Sequence, residues 1–454
     1  MTIKHRKEIR FSIHSNKLEN FVNYLLDAGY RKTIYSDKPV TQTIYFNHDK
    51  FFIPFNLSLK MRRYISAPDR DILIDDSADY ILETKSFVFE NDAPMKHKER
   101  VNMSGKDILS HFQHIPLSKI LNDFSTTKDC SAINDLFSEV YLHPQIATQY
   151  RRSHFTKGEH LRVTIDDALQ TFYFDENGKS LETTQHKSIP VEFKCDNISM
   201  VSEMERLICR LKDEGAQTAL SKKNLALNAM FYRRKSGMKA DYLLTKEFPD
   251  DEMESKYSID IIPPELVFLV LRDVFEKGIG DYHVGQGHPF SEEIGSIHKY
   301  YEQDNNVFRI AYSGDIGTLS SKSGSTAEGK ILSRHETKEQ SRRFESLDDV
   351  LPKDIKELGE LTRIRRGFWI ENDASGRVYK IAVDNSYNQS NRLSQIELEY
   401  TGIRPGRAIT SDKQAIFSEI ETLHDIIMAD NHIGEYVSPT LLTKLDWIKS
   451  LATR

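Results

Sequence analysis

The chain has 454 residues, 39% hydrophobic and 29% charged, a balance that suits a globular protein with two or three cores and excludes a disordered one. Its formal charge of −6 excludes a general attraction to nucleic acid or anionic membrane, so any basic site has to be local. Three scattered cysteines, Cys130, Cys195 and Cys209, exclude a disulfide framework, and with no apolar run of roughly 18–20 residues the expectation is a cytoplasmic protein without signal peptide or transmembrane segment.

The first element, at 4–13, alternates Arg6, Glu8 and Arg10 with Lys7, Ile9 and Phe11, which predicts a strand with one charged face. Residues 15–30 carry Leu18, Phe21, Val22, Leu25 and Leu26 at helical spacing, with Ser15 as the cap and Gly29 as the stop. Strands are predicted over 41–49, 57–64, 80–87 and 97–103, then helical pieces over about 105–140. Strands return over 146–155, 161–174 and 189–196, with 143–145 as a strand entrance. A helix over about 199–215, striped by Met204, Leu207, Ile208 and Leu211, follows in a first domain of residues 1–235. The acidic, aperiodic stretch 236–256 reads as a linker.

The second domain, 257–454, repeats the strand-then-helix opening with YSIDII at 257–262 and a proline-initiated helix at 263–278. Strands are predicted over 307–312, 330–338, 361–370, 377–384 and 393–400, a Gly/Ser-rich loop over 313–329, and a last helix over about 412–429.

In the first domain, same-face residues recur strand after strand: Arg6, Glu8 and Arg10; Lys60 and Arg62; Glu83 and Lys85; Lys98 and Arg100; Tyr150 and Arg152; Arg162 and Asp166; Glu192 and Lys194. One such pair alone reads as the solvated side of a sheet. Repetition through successive strands, with helices nearby to cover the apolar alternates, reads as a barrel with a wet, mainly basic interior. A linear polyanion suits that interior, because Arg and Lys bind successive phosphates, and the few acids suit a divalent metal.

These segments resemble the triphosphate tunnel metalloenzymes, and within them the VTC-type polyphosphate polymerase domain, through RKEIRF, SLKMRRY, YILETK, KHKERV, QYRRSHF, LRVTID, VEFK and ALSKK over about residues 4–232. The resemblance implies an α+β protein of two tandem antiparallel β-barrel tunnel domains with peripheral helices. It implies ATP or another nucleoside triphosphate and inorganic polyphosphate as substrates, and Mn²⁺ or Mg²⁺ as cofactor. Catalytic phosphate contacts then fall to Arg10, Lys60, Arg62, Lys85, Lys98, Arg152 and Lys222, and further substrate contacts to Arg6, Arg100, Tyr150, Arg162 and Lys194. Metal binding falls to Glu192, with Glu83, Asp166 or Glu8. Arg10 and Lys60 depart from the family, which usually has lysine at the first position and arginine at the second.

The second domain resembles the CYTH branch of the superfamily through VFRIAY, LTRIRRGFW, GRVYKIAVD and LSQIELEY, with Arg309, Arg363, Arg365, Asp384, Glu397 and Glu399 as the matching residues. Family members open on Glu-x-Glu-x-Lys, whereas YSIDII offers Ser258, Asp260 and Ile262. The resemblance therefore implies a degenerate partner or ligand-binding domain in preference to a second active site, with a protein partner or a second copy assembling through it. His283, His288 and His298 read as surface histidines, and 321–330, which lacks Walker spacing, as a flexible connection. The activity implied is metal-dependent transfer of the ATP γ-phosphate to a polyphosphate chain, with a tripolyphosphatase or a non-catalytic sensor as the alternatives.

Overall fold

Alternating charged and apolar side chains, rather than long apolar runs, build most strands of this protein, so each sheet has one face to bury and one to hydrate or fill. The computed structural model describes residues 7–34, 39–48, 57–90, 93–114, 116, 118–119, 138–175, 178–236, 243–285, 291–303, 306–313, 316–338, 342–343, 351, 355–388 and 391–452. The chain divides into two compact units, the first built from segments ending at Asn47, Pro116 and Met230, the second holding everything from Phe231 on. No helix among the described residues is long and apolar enough to cross a membrane.

The first unit contains β1 (Lys7–His14), β2 (Arg31–Ile34), β3 (Val40–Asn47), β4 (Leu57–Ile65), β5 (Asp79–Glu90), β6 (Ala93–Ser104), β7 (His143–Thr156), β8 (Leu161–Phe174), β9 (Ser180–Gln185), β10 (Ser188–Cys195) and β11 (Gln217–Thr218). Its helices are α1 (Leu18–Asp27), α2 (Gly105–His114), α3 (Val201–Asp213) and the start of α4 (Lys222–Ser236). The strands form one antiparallel sheet in the order β11-β1-β10-β8-β7-β3-β4-β5-β6, with β2 on β7 and β9 on β8. Phe21 and Leu25 of α1 and Met204, Leu207 and Leu211 of α3 close over Phe11, Ile13, Val163, Val191 and Phe193, the apolar alternates of β1, β8 and β10. Each such side chain contributes roughly 1.5–3 kcal/mol by leaving water. On β3 the same face is covered by α2, whose Phe112 ring lies 4.3 Å from that of Phe46. Ser15 does not cap α1; it begins a 3₁₀ turn, Ser15–Lys17, that leads into the helix, and no side chain caps the helix itself.

The second unit contains β12 (Asp251–Ile259), β13 (Tyr282–Val284), β14 (Glu292–Gln303), β15 (Asn306–Ser313), β16 (Ile316–Glu328), β17 (Ile331–Lys338), β18 (Arg342–Arg343), β19 (Lys356–Asn372), β20 (Arg377–Asn388), β21 (Asn391–Ile403) and β22 (Val437–Pro439). Its helices include α5 (Pro264–Lys277), α6 (Lys413–Ala429) and α7 (Lys444–Ala452). Eight strands run β19-β14-β15-β16-β17-β12-β21-β20, and a β19–β20 pairing closes them into an antiparallel barrel. Closure leaves no sheet edge in that ring and puts every second side chain inside.

Two expectations are corrected here, and one strand is added. The opening strand of this unit runs over Asp251–Ile259, six residues earlier than 257–262, so residues 251–256 belong to a strand and Asp260 and Ile262 lie beyond it. The Gly/Ser-rich stretch expected as a loop is β16, which pairs with β15 over Ile316–Lys322 and with β17 over Ser320–Glu328, so neighbouring strands supply backbone partners that this composition usually finds in solvent. A strand not predicted at all, β14, lies between β15 and β19.

Candidate functional site

In the first unit, antiparallel register places acids of one strand opposite cations of the next: Arg10 faces Glu192, Glu8 faces Lys194, Lys60 and Arg100 face Glu83, and Arg152 faces Asp166. Three charged clusters result. In the first, buried Asp166 accepts from Arg152 Nε at 2.6 Å and Arg152 Nη2 at 2.8 Å, and also from Lys222 at the start of α4. The Tyr150 ring lies beneath, 5.0 Å from the Arg152 guanidinium and 4.8 Å from the Lys222 ammonium. Burial alone would raise the Asp166 carboxyl, but Arg152 and Lys222 hold it well below the usual carboxylate range. They also lower the Tyr150 hydroxyl, against its burial.

In the second cluster, buried Glu83 pairs with Lys60 at 3.0 Å and Arg100 at 2.9 Å, while Arg62 on the same face donates to Thr43 Oγ1 at 3.4 Å. In the third, Glu8 and Glu192 share two cations: Arg10 binds Glu8 and lies 3.3 Å from Glu192, and Lys194 binds Glu192 and lies 3.7 Å from Glu8. Burial would raise Glu192, yet Lys194 and Arg10 bring it down to about 2. Burial outweighs Glu192 and Glu8 at Lys194 and lowers its ammonium to about 8. Arg10 and Arg100 are the solvent-facing members, with 41% and 51% of their side chains accessible, so an incoming anion meets them first. Arg162 is half-buried opposite Lys194.

The second unit builds a related interior from different strands. On β12, Glu252, Glu254 and Lys256 point inward. Arg334 donates to Glu252 at 2.7 Å and also to Glu254; Lys256 lies 2.7 Å from Glu254 and 2.9 Å from Glu397. Asp384 accepts from Arg365 Nε and Nη2, both at 2.7 Å, and lies 2.7 Å from Lys444 at the start of α7. Lys444 also donates to Glu397 at 2.6 Å, and Arg365 reaches Glu397 as well. Burial would raise Glu397, but Lys256, Lys444 and Arg365 hold it well below the usual range. Arg309 pairs with Glu336 at 3.1 Å, and Arg363 lies 3.8 Å from Asp384.

The charged face of the first unit and the barrel interior of the second correspond by register. Setting Lys256, opposite Glu397, on Arg10, opposite Glu192, matches Glu254 with Glu8 and Glu399 with Lys194. The trio of Arg365, Asp384 and Lys444 then repeats Arg152, Asp166 and Lys222.

Residues 5–223 match the family model of the VTC domain. The matched residues make up most of the first unit, which takes the name VTC domain from this similarity. No curated protein matches the chain. Among solved structures, a candidate adenylyl cyclase from Hippeastrum, HpAC1, with a dominant triphosphatase activity, is 14% identical, covers 48% of this chain and 93% of its own, and has a TM-score of 0.27. A candidate adenylate cyclase from Bacillus halodurans is 15% identical over 41% of this chain and 98% of its own, with a TM-score of 0.23. The RNA triphosphatase Pct1 of S. pombe is 7% identical over 46% of this chain and 87% of its own, with a TM-score of 0.22.

In the VTC domain the structure brings Arg10, Glu8, Glu192 and Lys194 together, Lys60 with Glu83 and Arg100, and Tyr150 with Arg152, Asp166 and Lys222. Arg6 lies outside the described residues. Lys85 and Lys98 stand directly opposite each other on β5 and β6, and nothing of their side chains is described. Among the described residues no three His, Cys, Asp or Glu side chains gather as a metal centre. Glu8 and Glu192 share one pair of cations, Arg10 and Lys194, whereas Glu83 and Asp166 each have a pair of their own.

Sequence reasoning missed four inward-facing groups. Glu252, Glu254 and Lys256 form the Glu-x-Glu-x-Lys strand whose absence had suggested a degenerate domain, and their alternation with Met253, Ser255 and Tyr257 was the available signal. Lys444 stood in a short helix that was not predicted. His298 is not a surface residue: it is fully buried, accepts or donates a 2.9 Å hydrogen bond with Ser296, and is kept neutral by burial and by Arg363 and Arg309. His283 bonds Asp373 at 3.0 Å, and His288 lies outside the described residues. His154 and Thr164, 3.0 Å apart, continue the row from Arg10 and Glu192 across the VTC domain.

Proposed function

We propose that the VTC domain transfers phosphoryl groups on a nucleoside triphosphate or polyphosphate, as a polyphosphate polymerase that moves the ATP γ-phosphate onto a growing chain and releases ADP. The cluster of Asp166, Arg152 and Lys222 carries this reading, because one buried carboxylate fixes two cations over the Tyr150 ring before any ligand arrives. Cations fixed in advance need no reorganisation when negative charge gathers on the transferring group. A terminal oxygen of the chain attacks the γ-phosphorus, the bond from that phosphorus to the ADP oxygen breaks, and no proton has to move. Arg152 and Lys222 orient the transferring group, Lys60 and Arg62 the adjoining phosphates, and the exposed Arg10 and Arg100 meet the chain as it enters. Glu8 and Glu192 would hold Mn²⁺ or Mg²⁺, which supplies charge neutralisation between phosphate oxygens when bound.

A second reading concerns the second unit, whose Glu252, Glu254 and Lys256 sit on one strand face beside Glu397 and Glu399. This set supports a metal-dependent tripolyphosphatase rather than a degenerate domain. Incubating the full chain with ATP and Mn²⁺ or Mg²⁺, and resolving ADP, free phosphate and polyphosphate, separates the readings. ADP with long polyphosphate supports the polymerase; free phosphate alone supports the hydrolase; binding without turnover supports a sensor and overturns both.

A further inference from the structure

The register that sets Arg365 on Arg152 also sets His298 on Thr43, Tyr300 on Tyr45, Arg309 on Lys60 and Ala311 on Arg62. The β14–β19 and β3–β7 pairings both shift register just after the matched tyrosine. On the charged face of the VTC domain, Arg62 of β4 reaches Thr43 of β3 at 3.4 Å. The second unit exchanges the two sizes: β15 has only the methyl of Ala311 there, and His298 stands directly opposite on β14. His298 is fully buried, and its Nδ1 hydrogen-bonds nothing among the described residues; nor do Nε of Arg309 and Nε of Arg363. Arg309 faces Tyr300 and Arg363 faces Ser296, the inward residues on either side of His298, and both meet their carboxylates, Glu336 and Asp384, through Nη atoms instead. Buried polar atoms without partners are costly, and three at neighbouring inward positions suit an anionic ligand. Solvent reaches this wall, since Arg309 keeps 22% and Arg363 15% of its side chain accessible.

Burial and the surrounding Arg363, Arg309, Lys444 and Arg365 hold the His298 imidazole well below its ordinary value, so the ring is neutral. Its Nε2 lies 2.9 Å from Ser296 Oγ, a hydroxyl able to donate or accept. An anionic oxygen at Nδ1 can only accept, so it fixes the proton on Nδ1 and turns Ser296 into the donor to Nε2. We propose that His298 takes, in the second unit, the part proposed for Arg62 in the VTC domain: its Nδ1–H donates to a phosphate oxygen held between Arg309 and Arg363. A neutral donor serves here because four cations already surround the position and a fifth would be repelled. The inference deepens the tripolyphosphatase reading of the second unit and rests on it.

The test joins nitrogen NMR of the full chain, labelled at histidine, with the kinetics of phosphate release from inorganic tripolyphosphate and Mg²⁺. An imido analogue of tripolyphosphate, which cannot be hydrolysed, is expected to move the His298 Nδ1 signal to the protonated type and Nε2 to the acceptor type; the signals are identified by their absence in His298→Gln. His298→Thr is expected to raise KM for tripolyphosphate by about tenfold or more, the loss of one hydrogen bond to a charged group. Adding Ala311→Arg to His298→Thr rebuilds the arrangement of Arg62 and Thr43 and is expected to bring KM back to within about threefold of the parent, a rescue that a merely structural histidine would not give. Melting temperatures show whether each variant folds; should His298→Thr unfold, the parent spectrum decides. A His298 signal unmoved by the analogue, in a parent that does release phosphate, overturns the role of His298 and leaves the hydrolase reading standing. A moved signal without phosphate release overturns the hydrolase reading and supports His298 as a binding residue. Neither movement nor release overturns both.

Discussion

Replacing Asp166 by Asn tests the charged cluster at its centre. The carboxylate is fully buried and accepts a two-pronged bond from Arg152 as well as a bond from Lys222. Asparagine preserves volume and one acceptor oxygen but leaves two cations facing each other without a counter-charge. Removing one partner from a buried ion pair typically costs about 3–5 kcal/mol, and that is the loss expected in urea unfolding at neutral pH. The same vacancy of charge has a second consequence: a phosphate that reaches Arg152 and Lys222 replaces the missing carboxylate. Saturating inorganic tripolyphosphate should therefore stabilise Asp166→Asn more than the parent, by about 1.4 kcal/mol or more, equivalent to tenfold in the ratio of dissociation constants. The assay is the urea midpoint of both proteins with and without tripolyphosphate. A loss below about 1 kcal/mol would show that the ion pairs are solvated. An equal or smaller ligand effect in the variant would show that Arg152 and Lys222 do not face the phosphate.

Two further outcomes follow from the same electrostatics. Burial, with Arg162 and Arg152 nearby, lowers the His154 imidazole from 6.5 to about 4, so between those pH values the unfolded chain takes up a proton that the folded chain refuses. Stability should thus fall as pH drops from 6.5 to 4, by up to about 3 kcal/mol, and His154→Gln should remove that part of the slope; parallel pH profiles of urea midpoints would contradict this. In the second unit, Glu397→Gln removes the acid shared by Lys256, Lys444 and Arg365 and should suppress release of free phosphate while polyphosphate synthesis by the VTC domain continues, as read by resolving both products. Loss of both products together would mean that one site performs both reactions.

How far the sequence could be read depended on which face of each strand carried the pattern. In the VTC domain, β1, β8 and β10 alternate charges with Ile9, Phe11, Val163, Ile165, Val191 and Phe193, and this period of two made both the strands and their charged faces legible. On β12 the intervening residues are Met253, Ser255 and Tyr257, too weakly apolar to stand out beside the acidic residues before them, so the sequence reads as linker up to residue 256 and hides these acids. β16 is built from Ser, Gly and Thr, a composition that signals loops unless barrel closure supplies the partners. Lys444 could not be inferred from spacing, because a chain contact from α7 to Asp384 and Glu397 spans the unit and leaves no local trace. His298 reads as a surface residue for the complementary reason: its burial comes from the neighbouring strands β15 and β19, which sequence spacing does not reveal.

Lys222→Met most directly tests the claim that the charged face of the VTC domain performs the transfer. Lys222 contacts Asp166 from the first residue of α4, and Met keeps much of its length without the charge. With ATP and Mn²⁺ supplied and products resolved over time, polyphosphate formation should fall by about a hundredfold or more, the loss expected when one preorganised charge is removed from the transferring group. Polyphosphate formed at the parent rate by the folded variant would contradict the account.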